Sequence, residues 1–319
     1  MVEAPYGIAL LALGGLVGLL VGAAFLAAAI YTLVGFSHWI VDRRLRGLEP
    51  DDPAAPPEPA LGRTIAAEVV SAGTFFALQP FGLMDPPQPA DRILRRGRPI
   101  LFVPGYLQTR TSFLFLAARL SSYGLGPLYS VNLASWDVGL DESADRLSAR
   151  IDRILKATGA RQLDVVAHSM GGLVTRLAEG KGPAAGRRPP RVRRLVTLGT
   201  PHHGTQIAHV LRGEAARQMR PGSELLARLP DPPVGQLVSI RSTHDFFVIP
   251  PEGARVAPVG RDVEVRRVGH LALLTDPDVA EEVVRALGED IQFRRMSDLF
   301  ETPSEPELVA NRLDVAFRK

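Results

Sequence analysis

Residues 163–172 read Leu163-Asp164-Val165-Val166-Ala167-His168-Ser169-Met170-Gly171-Gly172. The stretch begins like a short buried strand and ends like the start of a helix, so Ser169 falls in the tight turn between them. Ala167 and Gly171, two positions before and after the serine, are small enough to let strand and helix approach closely. This context predicts that Ser169 projects from the C-terminal edge of a sheet as a nucleophile. The alternative interpretation is an ordinary helix N-cap, a position that serine favours.

The chain around this turn alternates short apolar runs with longer helical stretches from Pro99 onward. Such alternation predicts an α/β domain in which helices cover both faces of a mostly parallel sheet. The predicted strands are Pro99–Val103, Pro127–Val131, Gln162–Ala167, Val192–Leu198, Gln236–Ile240 and Asp262–Val268. The predicted helices are Thr109–Ser122, Asp141–Thr158, Met170–Glu179 and Pro277–Leu287. Residues 207–234 fit no strand–helix unit and are a candidate lid.

A serine nucleophile needs a base to take its proton and a carboxylate to orient that base. Asp245 and His270 each follow a predicted strand, in the chain order serine, acid, histidine that this kind of turn accompanies. We therefore predict a catalytic triad of Ser169, Asp245 and His270. Asp262 and Asp276 remain alternatives for the acid.

The negative charge that develops during acyl transfer needs two backbone N–H groups aimed at it. One is expected from Met170, directly after the nucleophile. The other is expected from Tyr106, in the loop after the first core strand, where Gly105 permits the turn that exposes the amide.

The N-terminal region has no ionisable side chain other than tyrosine between Tyr6 and Ser37. A helix of about 20 apolar residues spans the hydrocarbon core, so the stretch predicts a transmembrane helix that contacts the bilayer through residues 7–37. A cleaved signal peptide fits less well, because no basic residue precedes the apolar run. Three arginines follow it, and the positive-inside rule then puts the later domain in the cytoplasm. They are Arg43, Arg44 and Arg46.

We divide the chain into five segments. Residues 1–46 are the transmembrane anchor, and the proline-rich stretch 47–60 is an extended linker. Residues 61–96 hold an apolar helix near Thr64–Phe81 with its connecting loop. This helix either contacts the membrane or packs on the catalytic domain, and the sequence leaves both open. Residues 97–300 form the catalytic domain, and 301–319 are a C-terminal tail.

Composition excludes some classes of site. The chain has no cysteine, so disulfides, zinc–thiolate sites and a cysteine nucleophile are excluded. Its formal charge of +3 comes from arginines scattered among acidic residues, which does not suggest nucleic-acid binding. A metal site at His202 and His203 is disfavoured, since adjacent side chains diverge and no carboxylate is suitably spaced.

Several motifs together resemble the bacterial lipase and esterase branch of the α/β-hydrolases. Ala167–Gly172 resembles the elbow of these enzymes, and Gly269-His270 is similar to the pair that carries their histidine. Residues 197–205, Thr197-Leu198-Gly199-Thr200-Pro201-His202-His203-Gly204-Thr205, resemble a loop that braces their site. Val103–Tyr106 is similar to their oxyanion loop, except that Pro104 replaces its usual histidine. The resemblance covers roughly residues 97–290.

The resemblance implies hydrolysis of lipid-like acyl esters without an organic cofactor, and we predict no metal site. We therefore expect a membrane-anchored lipase or carboxylesterase, single-pass in a bacterial inner membrane, with its catalytic domain in the cytoplasm. Two alternatives remain. The fold could serve as a non-catalytic membrane scaffold, or the same triad could transfer the acyl group to an acceptor other than water.

Overall fold

The computed structural model describes residues 4–47, 61–83, 97–133, 138–180, 190–229 and 235–288, with side chains from residue 14 onward. Nearly all of the predicted linker 47–60, the second part of the segment 61–96 and the tail 301–319 lie outside the described residues. The same holds for residues 289–300 of the predicted catalytic domain and residues 230–234 of the candidate lid. The division into segments stays a prediction.

Six parallel strands form the sheet, in the spatial order β2-β1-β3-β4-β5-β6. Their bounds are β1 Ile100–Val103, β2 Leu128–Ser130, β3 Leu163–His168, β4 Val192–Leu198, β5 Gln236–Ser242 and β6 Arg261–Val265. All six lie where the sequence predicts strands. The last ends at Val265 rather than at Val268, because Arg267 has a φ of 65°, which breaks an extended chain.

Helices cover both faces of this sheet, as predicted. They are α3 Leu114–Ser122, α4 Leu140–Thr158, α5 Met170–Gly180 and α8 Pro277–Gly288. On one face, Ile151 and Leu173 pack with Val165 of β3; on the other, Leu120 and Val283 belong to a second buried cluster. Because a central parallel strand is buried on both faces, β1 is apolar along its length rather than alternating. The predicted α/β fold class is confirmed.

The stretch predicted as one helix at Thr109–Ser122 is split. Residues Arg110–Phe113 form a 3-10 turn, and α3 begins only at Leu114. The Thr109 hydroxyl lies 2.8 Å from the Thr111 hydroxyl and caps no helical amide. Without that cap, the first turn is the tighter 3-10 form that is common at helix ends.

The candidate lid consists of short helical elements joined by turns. These are a 3-10 turn at Gln206–His209, α6 Glu214–Gln218 and α7 Glu224–Ala227. Ala208, Ala215 and Leu225 are buried in the same cluster as the sheet. The described part of this segment therefore packs on the core, and its role as a lid stays a prediction.

Helix α1 runs from Ala4 to Leu45 and has two parts. Most residues from 14 to 27 are exposed, whereas Ala28, Thr32, Gly35 and Trp39 are buried. These four recur at the spacing of one helical face, and Trp39 donates its indole N–H to the Thr243 carbonyl 3.3 Å away. Residues 28–39 therefore bury one face against protein, and the predicted bilayer contact through residues 7–37 stays a prediction.

Helix α2 runs from Leu61 to Leu83, where the sequence predicts an apolar helix. Its buried stripe includes Thr64, Glu68, Ser71 and Phe75, and these side chains face the domain that follows. By length and composition both α1 and α2 are able to cross a membrane, a criterion that signal sequences and buried core helices also meet. The packing of α2 favours a helix that belongs to the catalytic domain.

Candidate active site

Ser169 lies in the turn between β3 and α5 and has a φ of 52°, a conformation uncommon for residues other than glycine. Its amide donates to the Leu198 carbonyl at 2.8 Å, and the Thr200 hydroxyl donates to its carbonyl at 2.7 Å. A Cβ at Gly171 would lie 2.4 Å from the Val103 carbonyl oxygen, so only glycine permits this close approach of helix and strand. Hydrogen bonds to both the amide and the carbonyl of Ser169 thus stabilise the predicted turn between strand and helix.

Asp245 and His270, the predicted acid and base, are in direct contact. His270 Nδ1 lies 2.9 Å from Asp245 Oδ2, and both side chains are buried. The other oxygen, Asp245 Oδ1, accepts the amides of Phe247 and Val248, each at 2.8 Å. Both carboxylate oxygens are thus engaged, which leaves the acid one orientation and directs Nε2 of the imidazole away from it.

Ser169 and His270 line the same cavity. Within the described residues, the Ser169 hydroxyl has no hydrogen-bonding partner, so an Oγ–Nε2 bond is not formed in this structure. Such bonds are often long or poorly aligned before substrate binds. In the structure, Asp245 contacts His270 directly. Ser169 and His270 line one cavity without a hydrogen bond between their side chains.

Burial and a nearby carboxylate act on the imidazole in opposite directions. Burial lowers the pKa of His270, but the charge and hydrogen bond of Asp245, with a smaller contribution from Glu68, outweigh it and raise the pKa above its ordinary value. A base with a raised pKa holds a transferred proton more strongly. The arrangement is chemically capable of accepting the proton of a serine hydroxyl.

His168 has a structural role that the sequence did not predict. Its Nε2 lies 2.9 Å from the His270 carbonyl oxygen, and its Nδ1 lies 3.0 Å from the side-chain amide of Gln108. Burial lowers the pKa of His168 well below its ordinary value, so the ring is neutral at pH 7. It donates to the His270 carbonyl and thereby holds the backbone that carries the predicted base.

Glu68 is the second residue that sequence reasoning missed. Its carboxylate, carried by α2, accepts the amides of Leu271 and Ala272 at 2.9–3.0 Å. In the sequence it is only a charge that interrupts an apolar run. Because its contact lies about 200 residues away, no local pattern predicts it.

Of the two residues predicted to supply the oxyanion-hole amides, Met170 directly follows the nucleophile and Tyr106 lines the same cavity as Ser169. Met170 is the first residue of α5, where a helix leaves its amides without intrahelical partners. The preceding loop is braced, because Gly105 donates its amide to Gln108 Oε1 at 2.9 Å. Tyr106 and Gln108 line the cavity together with Ser169. Gln108 thus supports the loop that follows β1 and contains Pro104.

The alternative acids and the disfavoured histidine pair have other partners. Asp262 accepts the amide of Val256 at 2.9 Å, and Asp276 accepts amides of Asp278 and Val279 at the start of α8. His202 is buried, with Nε2 3.1 Å from the Thr197 hydroxyl. These contacts are structural, and Asp245 is the acid that contacts His270.

The cavity at Ser169 has a volume of about 120 Å³ and mostly apolar walls. Its walls come from α1, α2 and the segments that follow β1, β3, β4, β5 and β6. The apolar lining residues are Tyr31, Phe75, Phe76, Tyr106, Leu107, Pro201, Ile207, Leu211, Met219, Phe247 and Leu271. A narrow apolar cavity with one nucleophile and one base is suited to an acyl chain attached to a reactive carbonyl.

Comparisons with known proteins agree with this architecture. The mature lipase BlEst2 of Bacillus licheniformis superposes with a TM-score of 0.51 and 18% identity, over 64% of this chain and 94% of that one. Lipase B of Aspergillus fumigatus superposes with a TM-score of 0.52 and 18% identity, over 67% and 56%. At this identity the likeness shows the fold, which is that of the α/β-hydrolases.

Two curated sequences are similar over a shorter stretch. Triacylglycerol lipases of Pseudarthrobacter phenanthrenivorans and Burkholderia plantarii are each 34% identical to this chain over 95 residues, or 29% of it. The match spans about a quarter of the length of these relatives, 28% and 25%. A family model described as a domain of unknown function (DUF7379) matches residues 71–241, more than half of the chain. The protein therefore belongs to the DUF7379 family and has the α/β-hydrolase fold.

Proposed function

We propose that the protein is a serine hydrolase that cleaves carboxylic esters, with the activity of a lipase or carboxylesterase. The observation that carries this proposal is the 2.9 Å contact between His270 Nδ1 and Asp245 Oδ2 at the cavity that Ser169 lines. Nucleophile, base and acid also follow the order serine, acid, histidine along the chain, as in other hydrolases of this fold.

The first half of the reaction forms an acyl-enzyme. His270 Nε2 takes the hydroxyl proton as Ser169 Oγ attacks the ester carbonyl carbon, and the carbonyl oxygen becomes an oxyanion. The amides of Met170 and Tyr106 donate to this oxygen. Asp245 orients the ring and stabilises the imidazolium. When the tetrahedral intermediate collapses, the ester C–O bond breaks and His270 returns the proton to the leaving alcohol.

The second half releases the acid. His270 Nε2 takes a proton from a water molecule, whose oxygen attacks the acyl carbon. The bond to Ser169 Oγ then breaks, and the proton returns to the serine. The same residues serve both halves, so no cofactor or metal is required.

The apolar cavity supports a lipid-like acyl substrate. Aromatic and aliphatic side chains dominate its walls, and Tyr31 of α1 and Phe75 of α2 are among them. The curated relatives named triacylglycerol lipase agree with this chemistry. The helix that we propose as the anchor thus contributes a wall of the site that would receive the acyl chain.

For the location of the protein we propose a single-pass membrane protein of a bacterial inner membrane. The part of α1 that precedes the docked face, residues 4–27, is about 36 Å long, enough to cross the hydrocarbon core. Arg43, Arg44 and Arg46 follow α1's apolar stretch, which favours a catalytic domain in the cytoplasm. Arg46 also pairs with Glu252 of that domain at 2.9 Å.

The proposal is tested on the full chain in detergent micelles with p-nitrophenyl esters of graded acyl length. We expect hydrolysis by the wild type and its loss in Ser169→Ala, with an unchanged melting temperature because the hydroxyl has no hydrogen-bonding partner among the residues that the structure describes. Ser122→Ala, on the exposed surface of α3, is the matched control. Turnover by Ser169→Ala at a rate close to that of the wild type would refute the assignment.

A further inference from the structure

Glu68 is a buried carboxylate in the middle of the otherwise apolar helix α2. Oε1 lies 2.9 Å from the Leu271 amide, and Oε2 lies 3.0 Å from the same amide and 2.9 Å from that of Ala272. These are the two residues directly after His270. The carboxylate thus accepts hydrogen bonds from the first amides of the short turn that directly follows His270.

Packing alone does not require a carboxylate at this position. Among the described residues, no arginine or lysine forms an ion pair with Glu68, so its charge is stabilised by backbone hydrogen bonds and by the proximity of His270. The like charge of Asp245 opposes it, and Tyr31 from α1 also lies nearby. A buried charge without a cationic partner is costly, and such groups concentrate at functional sites.

The His270 backbone is held at two points by side chains. His168 Nε2 lies 2.9 Å from its carbonyl oxygen, and Glu68 binds the amides that follow. A Cβ at Gly269 would lie 2.3 Å from Glu68 Oε2, so the backbone before His270 also passes directly over the carboxylate. The hydrogen bonds of His168 and Glu68 together hold the loop that carries His270, here called the histidine loop, in one position relative to β3. β3 is the strand that leads into the turn at Ser169.

The charge of Glu68 also acts on the imidazole. A nearby negative charge favours the protonated form of His270, which is the form created when the base takes the serine proton. Burial raises the pKa of Glu68 itself to about 7, although its hydrogen bonds to Leu271 and Ala272 and the proximity of His270 oppose this. The carboxylate is therefore partly ionised near neutral pH.

We propose that Glu68 is a positioning residue for His270, holding the histidine loop through the amides of Leu271 and Ala272 and stabilising the imidazolium as a second carboxylate behind Asp245. This inference rests on the proposed function, because it assigns Glu68 to the same reaction. It also makes α2 a component of the active site rather than only a packed helix.

The test is Glu68→Gln in the full chain in detergent. Glutamine keeps the size of the side chain but loses the charge, and its NH₂ group would face an amide N–H. We expect fluorophosphonate labelling of Ser169 to slow at least about tenfold at pH 8, because displacement of a base by about 1 Å lowers reaction rates to this degree or more. The acidic limb of the labelling rate should also move to lower pH, since His270 loses a negative neighbour.

Ser71→Ala is the matched control. Ser71 lies on the same face of α2, and its hydroxyl contacts that of Thr275 at 2.8 Å. It therefore packs against the same part of the domain but does not contact the amides of Leu271 and Ala272. A merely structural role for Glu68 would lower the melting temperature and leave the pH profile of the folded fraction unchanged. A profile of Glu68→Gln identical to that of the wild type would overturn the proposal.

A second variant covers the case in which Glu68→Gln does not fold. Glu68→Asp keeps the charge but withdraws it by one methylene, so we expect slower labelling with an acidic limb close to that of the wild type. Labelling by this variant at the wild-type rate would overturn the proposal. If instead the wild type is not labelled at Ser169 at all, the proposed function fails, which is a distinct result.

Discussion

The ring of Tyr31 stacks on that of Phe247, with centroids 3.9 Å apart and planes 9° from parallel. Tyr31 belongs to α1, and Phe247 follows the predicted acid by two residues and donates its amide to Asp245 Oδ1. The helix proposed to anchor the protein therefore contacts the loop that orients the predicted acid. Both rings also line the cavity, so α1 forms part of the same surface as the predicted active site.

This relationship predicts that two truncations behave differently. Removal of residues 1–27 should leave esterase activity within about twofold of the wild type, because most described residues before Ala28 are exposed. Removal of residues 1–47 should abolish or strongly reduce activity, since it uncovers Phe246 and Phe247, which pack against α1. Activity and melting temperature of both proteins in detergent provide the check. Equal, full activity in the two would contradict the docking of α1.

A pair of glycines on α1 tests the same docking by single substitutions. A Cβ at Gly35 would lie 2.6 Å from the Phe247 ring and 2.8 Å from the Phe246 carbonyl oxygen, whereas nothing lies within 4 Å of a Cβ at Gly22. Gly35→Ala should therefore destabilise the domain by about 1–3 kcal/mol through overpacking. Gly22→Ala should not lower the melting temperature. Thermal unfolding of the two variants side by side decides between these outcomes.

The sheet and the elbow were predictable because their signals are local. Val165 and Val166 indicate a buried strand, and Ser169 between small residues indicates the turn, so no distant contact was needed. Asp245 and His270 could be chosen from their positions after strands, because parallel strands bring their C-terminal ends to one edge of a sheet.

Contacts made across the chain could not be predicted in this way. Ala28 and Thr32 have the same apolar or small character as the exposed residues around them, so composition alone cannot separate a docked helical face from an exposed one. Glu68 and His168 act on backbone groups about 100 to 200 residues away. Such hydrogen bonds leave no periodicity in the sequence, although a lone carboxylate in an apolar helix is a signal that a buried partner is needed.

Asp245→Asn should separate orientation from charge at the predicted acid. The amide can still accept from Phe247 and Val248, so we expect a melting temperature close to that of the wild type. The loss of charge removes the group that stabilises the imidazolium, and in a serine protease triad the equivalent change lowers kcat about 10⁴-fold. Steady-state kinetics with a p-nitrophenyl ester measures this. A loss of less than tenfold would argue against Asp245 as the acid.

The raised pKa of His270 predicts the pH dependence of the reaction. Only the neutral imidazole can take the serine proton, so kcat/KM should rise with pH through this pKa, above the ordinary value of about 6.5. Stability should change in the opposite sense, because a raised pKa means that folding favours the protonated form. The stabilisation is complete below about pH 6.5 and is lost as pH rises through the raised pKa.

The check compares the wild type with His270→Gln, whose side chain does not titrate. The melting temperature of the wild type, relative to that of His270→Gln, should fall as pH rises from about 6.5 through the raised pKa of His270. A difference that grows with pH would mean that the pKa of His270 is lowered rather than raised by folding.

The most direct measurement is mass spectrometry of the full chain after treatment with a fluorophosphonate. If Ser169 is the activated nucleophile, a single phosphonyl adduct will map to Ser169, and His270→Ala will slow its formation by orders of magnitude. Folded wild-type protein that forms no adduct at Ser169, or that reacts equally well without His270, would contradict the assignment of this site as a serine hydrolase.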